Sequence, residues 1–179
     1  MIYKTYYNSK VGKILLASKD NKLIGLWIEG QKYYLEKLNE EIIEKDDEPI
    51  LLKTKEWLNR YFQGEKPDIK ELPLAPIGSD FAKHVWKILC EIHYGEVTTY
   101  KQIAIKVAKI MNKEKMSAQA VGGAVGHNPI SIIIPCHRVI GTNKSLTGYA
   151  GGIDKKIKLL EHEKVDISEF TIPKKGTAL

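Results

Sequence analysis

Between Glu65 and Ser79 the chain reads EKPDIKELPLAPIGS, and no regular helix or central strand runs through such a stretch. Its three prolines fix their own φ and remove backbone donors, and Gly78 adds a further break. The stretch also divides the hydrophobic pattern. Before it come short β-rich apolar runs, and after it apolar residues recur mainly at helical spacing. At 179 residues and 43% apolar content, the chain has enough material for one large domain or two small ones. The expected division is an N-terminal α/β domain over 1–75, its linker starting near residue 64, a mostly helical domain over 76–170, and a tail over 171–179.

In the first part, YKTYYNS, GKILLASKD and KLIGLWIEG read as strands of a small antiparallel sheet, with turns at Lys10–Gly12 and Asp20–Asn21. Tyr34, Leu35, Leu38 and Ile42 have helical spacing and predict a helix over 31–45. A second helix is predicted over 53–63, with Trp57, Leu58, Tyr61 and Phe62 on one face and Gly64 as its stop.

Past the linker, Ser79 or Asp80 can cap a helix carrying Phe81, Val85, Leu89 and Ile92, which Gly95 ends. Thr99 and Gln102 form a capping-box pattern, with Ile103, Val107 and Ile110 as the buried stripe that follows. Ser117 then opens a short helix of small residues, AQAVGGAVG. Two helices joined by a turn, the second small-sided, suggest a helix-turn-helix. Small side chains let a helix approach a groove closely; they equally suit tight packing against another helix. Next, Ser131–Ile134 reads as a short buried strand ended by Pro135.

Charge is uneven. Residues 1–80 hold 13 basic and 14 acidic residues, whereas 81–179 hold 15 and 8, a net of −1 against +7. The second half therefore suits a polyanion, or else simply carries a solvated lysine-rich surface. No apolar run approaches a membrane span, and MIYKTYYNSK lacks a signal peptide's hydrophobic centre. Cys90 and Cys136 cannot make a disulfide framework, and the five histidines show no zinc-like ligand spacing, so no metal or cofactor is expected. A reducing, cytoplasmic setting is the expectation, nucleoid-associated in a prokaryote.

Chemistry concentrates at Cys136, His137 and Arg138. A cysteine is nucleophilic as thiolate, so it needs a base or a positive field nearby. Neighbours on an extended segment point apart, so a Cys136–His137 relay requires a sharp bend after Pro135 or a bridging water. A histidine base needs an acceptor on its other nitrogen, which Glu161 or Glu163 could supply. The bland reading of Cys136 is a buried structural cysteine, and Cys90 reads as packing.

IPCHRVIG preceded by NP and followed by GYAGG and LLEHE resembles the O6-alkylguanine-DNA alkyltransferase family, the methylated-DNA–protein-cysteine methyltransferases. FAKHVWKIL, GEVTTYKQIA and AVGGAVGHNP extend the resemblance over roughly residues 79–165; the N-terminal third agrees in layout alone. The resemblance implies an α+β fold, with a ribonuclease H-like N-terminal domain and a winged-helix-like, alkyl-acceptor DNA-binding domain. It implies repair of O6-alkylguanine in double-stranded DNA by a monomer acting once, without cofactor, after the damaged nucleotide is flipped out. Cys136 would accept the alkyl group, His137 would take the thiol proton, and Glu163 would orient His137. Tyr100 would hydrogen-bond the departing guanine, and Asn128 would lock the turn before the active-site segment. The small-residue helix would enter the minor groove, with Lys101, Ser117 and Thr142 as phosphate contacts. Tyr149 and Ala150 would lie in a loop closing over the base. Gln119 stands where the family usually has an arginine finger, and Lys115 is a possible substitute; Ala150 stands where many members have serine. Nothing in the resemblance accounts for TIPKKGTAL, expected to be a disordered or added tail. A plain DNA-binding regulator would leave Cys136, His137 and Glu163 without a purpose, and a turnover cysteine hydrolase would leave the small-sided helix without one.

Overall fold

Asp20 and Asn21 both take left-handed φ, 50° and 57°, which short polar side chains tolerate and two-residue hairpins require. In the computed structural model, which describes residues 1–173, this turn joins β2 (Gly12–Lys19) to β3 (Lys22–Ile28). Together with β1 (Ile2–Ser9) they form the expected antiparallel meander, Tyr3 facing Ser18 and Ile14 facing Ile28. A short fourth strand, β4 (Ile42–Glu44), joins β1 in parallel and gives the order β3-β2-β1-β4.

Both faces of this sheet are buried. Ile14, Leu16, Leu26 and Ile28 face the main core, while Leu15, Ala17, Ile24 and Trp27 form a second cluster with Leu35, Leu38 and Ile42. That second cluster explains why 31–45 is not the predicted helix. Its apolar residues cover a flat sheet face, and the backbone reaches them through isolated turns such as Glu36 N–H to the Tyr33 carbonyl at 3.3 Å. Tyr33, Leu35 and Lys37 all have left-handed φ, which a right-handed helix cannot contain.

The helix α1 (Pro49–Phe62) starts earlier than expected, with proline in its first turn, and buries Trp57, Leu58 and Tyr61. Gly64, at φ 93°, follows its end. The proline-rich stretch is ordered against the free edge of β3: Leu23 N–H donates to the Pro73 carbonyl at 2.9 Å, and Ala75 N–H to the Leu23 carbonyl at 2.8 Å.

Beyond it lie α2 (Asp80–Leu89), α3 (Tyr100–Ile110), α4 (Ala118–Gly126) and α5 (Ile153–His162). The caps are those the sequence announces. Ser79 accepts from Ala82 N–H at 3.1 Å, Ser117 from Ala120 N–H at 3.2 Å, and both halves of the Thr99–Gln102 box form. Strands β5 (Thr98–Thr99) and β6 (Val139–Ile140) pair in parallel, giving the small sheet beside the helices. Ile92 falls beyond the end of α2, although it still packs against the core, and Ile110 is 55% exposed and so does not belong to the buried stripe assigned to it. Thr171, assigned to the tail over 171–179, is held by backbone hydrogen bonds. Leu146 N–H donates to the Thr171 carbonyl at 2.9 Å and Thr171 N–H to the Lys144 carbonyl at 3.0 Å, while 174–179 lie outside the described residues.

Sheet, α1, α2, α3 and α4 share one contiguous core that includes Leu26, Trp57, Trp86, Val107, Val121 and Ile134. The chain has an α+β architecture whose two parts are packed on each other.

Candidate functional site

The isoleucine run is buried as expected, but it is not a strand. Leu26 N–H donates to the Pro129 carbonyl at 2.8 Å and Ser131 N–H to the Leu26 carbonyl at 3.0 Å, a single bridge onto the edge of β3. The chain then coils: Ile134 N–H reaches back to the Ile130 carbonyl at 3.0 Å, and Ile132 takes φ 70°. A β-branched residue there costs about 1–2 kcal/mol, sustained by the complete burial of its neighbours. Asn128 fixes the coil from inside. Its amide donates to the Ile134 carbonyl at 2.8 Å and accepts from Ile130 N–H at 3.0 Å.

This coil delivers Pro135 to the start of a 3-10 turn, Cys136–Arg138, closed by Arg138 N–H to the Pro135 carbonyl at 3.1 Å. Cys136 and His137 thus sit on a tight bend, where successive side chains diverge by about 120° instead of pointing to opposite faces. His137 is fully buried, and its Nε2 lies 2.5 Å from Glu163 Oε2. Its Nδ1 is buried and has no hydrogen-bond partner among the described residues.

Glu163, just past α5, gathers donors from three parts of the chain. Besides His137 it accepts Arg138 Nε at 2.7 Å, Arg138 Nη2 at 3.1 Å, Tyr61 Oη at 2.7 Å and Gly95 N–H at 3.3 Å. Burial pushes its carboxyl pKa up, but its interactions with His137 and with the charged Arg138 outweigh that and hold it well below the usual carboxylate range. Glu161, the other candidate acid, is exposed. Burial lowers the His137 pKa despite the pull of Glu163, so the imidazole is neutral at pH 7 and able to accept a proton. Burial raises the Cys136 pKa, opposed by the Asn128 amide and the charge of Lys156, so the resting sulfur is a thiol.

Lys156 is a site residue that the sequence reading missed. It is fully buried, donates to the carbonyls of Val139 and Thr147, and is lowered to about 8 by burial, with Cys136 opposing. Its signal was available: Lys156, Leu159, Leu160 and Glu163 lie at i, i+3, i+4 and i+7, placing a lysine in an apolar stripe. Tyr61 and the role of Arg138 had no such local signal. Cys90 is half-buried, its thiol pushed up to about 11 by burial, which fits packing.

A cleft of about 720 Å³ is lined by Tyr100, Lys101, Gln119, Thr142, Tyr149 and Ala150, with the glycines of α4; Cys136 is not in its wall but lies near Tyr100 and Tyr149, which are. Tyr100 Oη donates to the carbonyls of Thr147 at 2.9 Å and Gly148 at 3.1 Å. A Cβ on Gly148 would lie 2.6 Å from that hydroxyl, and its φ is 74°, so glycine is required twice over. Burial raises the Tyr100 pKa far above its usual value, so it remains a proton donor. Tyr149 Oη is buried beside Cys136 without a hydrogen-bond partner among the described residues. Ser117 uses its hydroxyl to cap α4, and both it and Lys115 are exposed near the start of that helix.

Both parts of the chain match family models: residues 2–76 the ribonuclease-like domain, and 80–165 the DNA binding domain, of 6-O-methylguanine DNA methyltransferase. The chain is 40% identical over 164 residues to a methylated-DNA–protein-cysteine methyltransferase of Haemophilus influenzae, covering 92% of this chain and 87% of that protein. Its identity to the Methanosarcina barkeri protein of the same name is also 40%, over 177 residues, covering 91% and 98%. Among solved structures, Mycobacterium tuberculosis OGT in complex with DNA superposes with TM-score 0.76 at 36% identity, covering 93% of this chain and 98% of that one. With both of its parts matched, this chain belongs to the 6-O-methylguanine DNA methyltransferase family.

Proposed function

We propose that this protein repairs DNA by moving an alkyl group from O6 of guanine to Cys136, once per molecule. The observation that carries the reading is the arrangement of His137: one ring nitrogen is held by buried Glu163, and the other is buried, without a partner among the described residues, at the turn that bears Cys136. A neutral imidazole so held can take the thiol proton, directly or through one water, while Glu163 stabilises the imidazolium that results.

The sulfur then attacks the alkyl carbon in line with O6. The carbon–sulfur bond forms as the carbon–oxygen bond breaks, and the electron pair leaves with the guanine. Tyr100 donates a hydrogen bond as that charge develops, and the base is finally protonated at the expense of His137. Cys136 is 4% exposed, so a guanine still stacked in a duplex cannot reach it; the nucleotide must turn out into the cleft. α4 lies in the minor groove, Gln119 stands at the vacated position, and Lys101 and Thr142 contact phosphates. The product is a thioether, a far poorer leaving group than guanine, so the protein does not regenerate. It acts as a monomer.

Incubation with an oligonucleotide duplex carrying O6-methylguanine, followed by intact-mass measurement, tests this. A gain of one methyl group, stopping at one per chain and located on the peptide containing Cys136, is expected. Multiple additions, or unmodified protein beside demethylated DNA, would sink the assignment.

A further inference from the structure

The turn-rich segment 31–38, covering the outer face of the N-terminal sheet, also reaches the mouth of the cleft, where Lys32 and Tyr33 line it together with α4. Its root is fixed: buried Gln31 accepts from Ile28 N–H at 2.6 Å and meets Ser131 Oγ at 3.4 Å, at the coil before Cys136. Lys32 N–H donates to the Ala150 carbonyl at 2.9 Å, in the loop that closes the cleft. The Tyr33 ring stacks on His127 at the end of α4, with centroids 3.7 Å apart and planes 22° from parallel. His127 is itself oriented by Nδ1 contacting the Gly123 carbonyl at 2.7 Å, and Glu36 lies 3.8 Å from its Nε2. Tyr33 remains 45% exposed although one face of its ring is covered, and it sits in a left-handed conformation that no helix would impose.

We propose that Lys32 and Tyr33 form a DNA-binding element of the N-terminal half, meeting the sugar–phosphate backbone where a duplex runs past the C-terminal end of α4. The inference rests on the repair reading above, which lays DNA along α4. The nine residues of that helix span about 13 Å, well under the roughly 34 Å of one duplex turn, so docked DNA overhangs its ends. At the His127 end the overhang meets the rigidly seated Tyr33 ring and an exposed lysine. The one carboxylate nearby on the segment, Glu36, faces His127.

The test measures duplex affinity against salt in a Cys136→Ser background, where transfer cannot interfere. Lys32→Gln keeps the backbone bond to Ala150 and should weaken binding several-fold, flattening the log-affinity against log-salt slope by about one unit. Tyr33→Ala should also weaken binding several-fold, with the thermal midpoint unchanged. Parental affinity and slope in Lys32→Gln would overturn the proposal and make the segment a brace for the cleft, whatever Tyr33→Ala does. If the Cys136→Ser parent itself failed to bind duplex, the fault would lie with the repair reading instead.

Discussion

The two sides of Cys136 are built on opposite plans. Behind it, Glu163 is surrounded by His137, Arg138, Tyr61 and Gly95, and every partner comes from a different stretch of chain except the adjacent pair. In front, α4 turns Val121, Ala124 and Val125 inward and presents Gln119 and Gly123 to solvent. Beyond the backbone of α4 itself, a Cβ placed on Gly123 or Gly126 would meet no atom of the described residues within 4 Å. Those glycines therefore do not serve packing within the protein, although each costs roughly 0.5–1 kcal/mol of helix stability relative to alanine. One side is closed around fixed hydrogen-bonding groups; the other is bare and open to solvent.

Cys136→Ser removes the atom that both sides serve. No methyl gain should be seen by mass, while duplex affinity stays near parental, because serine's hydroxyl does not ionise at neutral pH. Transfer at a comparable rate would place the nucleophile elsewhere.

Glu163→Gln attacks the closed side. Transfer should fall by about 100-fold, in line with a lost general-base partnership, and the fold should lose about 3–5 kcal/mol because Arg138 is left buried without its counter-charge. Acid unfolding supplies a separate readout. Glu163 in the folded chain titrates far below 4.5, so its stabilisation is complete above about that pH and drains away as the pH falls further. The glutamine variant should show a flatter stability curve below pH 4.5; an unchanged acid limb would mean that the network contributes no such linkage.

Gly123→Leu attacks the open side. Thermal stability should rise slightly, since leucine is the better helix former by about 0.8 kcal/mol, yet affinity for duplex should drop about tenfold as the side chain holds the groove away. Undiminished binding would show that DNA does not approach this face.

The smallest effect is expected at Gln119. Gln119→Arg should speed repair of duplex a few-fold more than reaction with the free methylated base, because a guanidinium adds charge and a stacking plane at the vacated position. Equal acceleration of both substrates would assign residue 119 to the base pocket.

How much of this was legible depended on the reach of each interaction. Ser79, Ser117 and the Thr99–Gln102 box act within one helical turn, and all three caps stand where the sequence puts them. Periodicity failed at 31–45 because Leu35 and Leu38 answer to a sheet face made by other residues, and spacing alone does not reveal which surface they will cover. It failed again at Ser131–Ile134, where burial was read correctly and the backbone was not: one bridge to Leu26 and the Asn128 amide replace the strand. The sequence left Glu161 and Glu163 as alternatives, and burial separates them. Tyr61 was beyond reach, since its partner lies 102 positions further along the sequence.

That separation governs how the protein comes into being. The carboxylate that supports His137 is synthesised after both Tyr61 and Cys136, and its contact with Tyr61 closes a loop between positions 102 apart in sequence. A growing chain that has already made Cys136 has no Glu163 for α1 to receive, so the base has no support until α5 arrives and docks. For a molecule that can react once, that order of assembly withholds the reaction from unfinished copies.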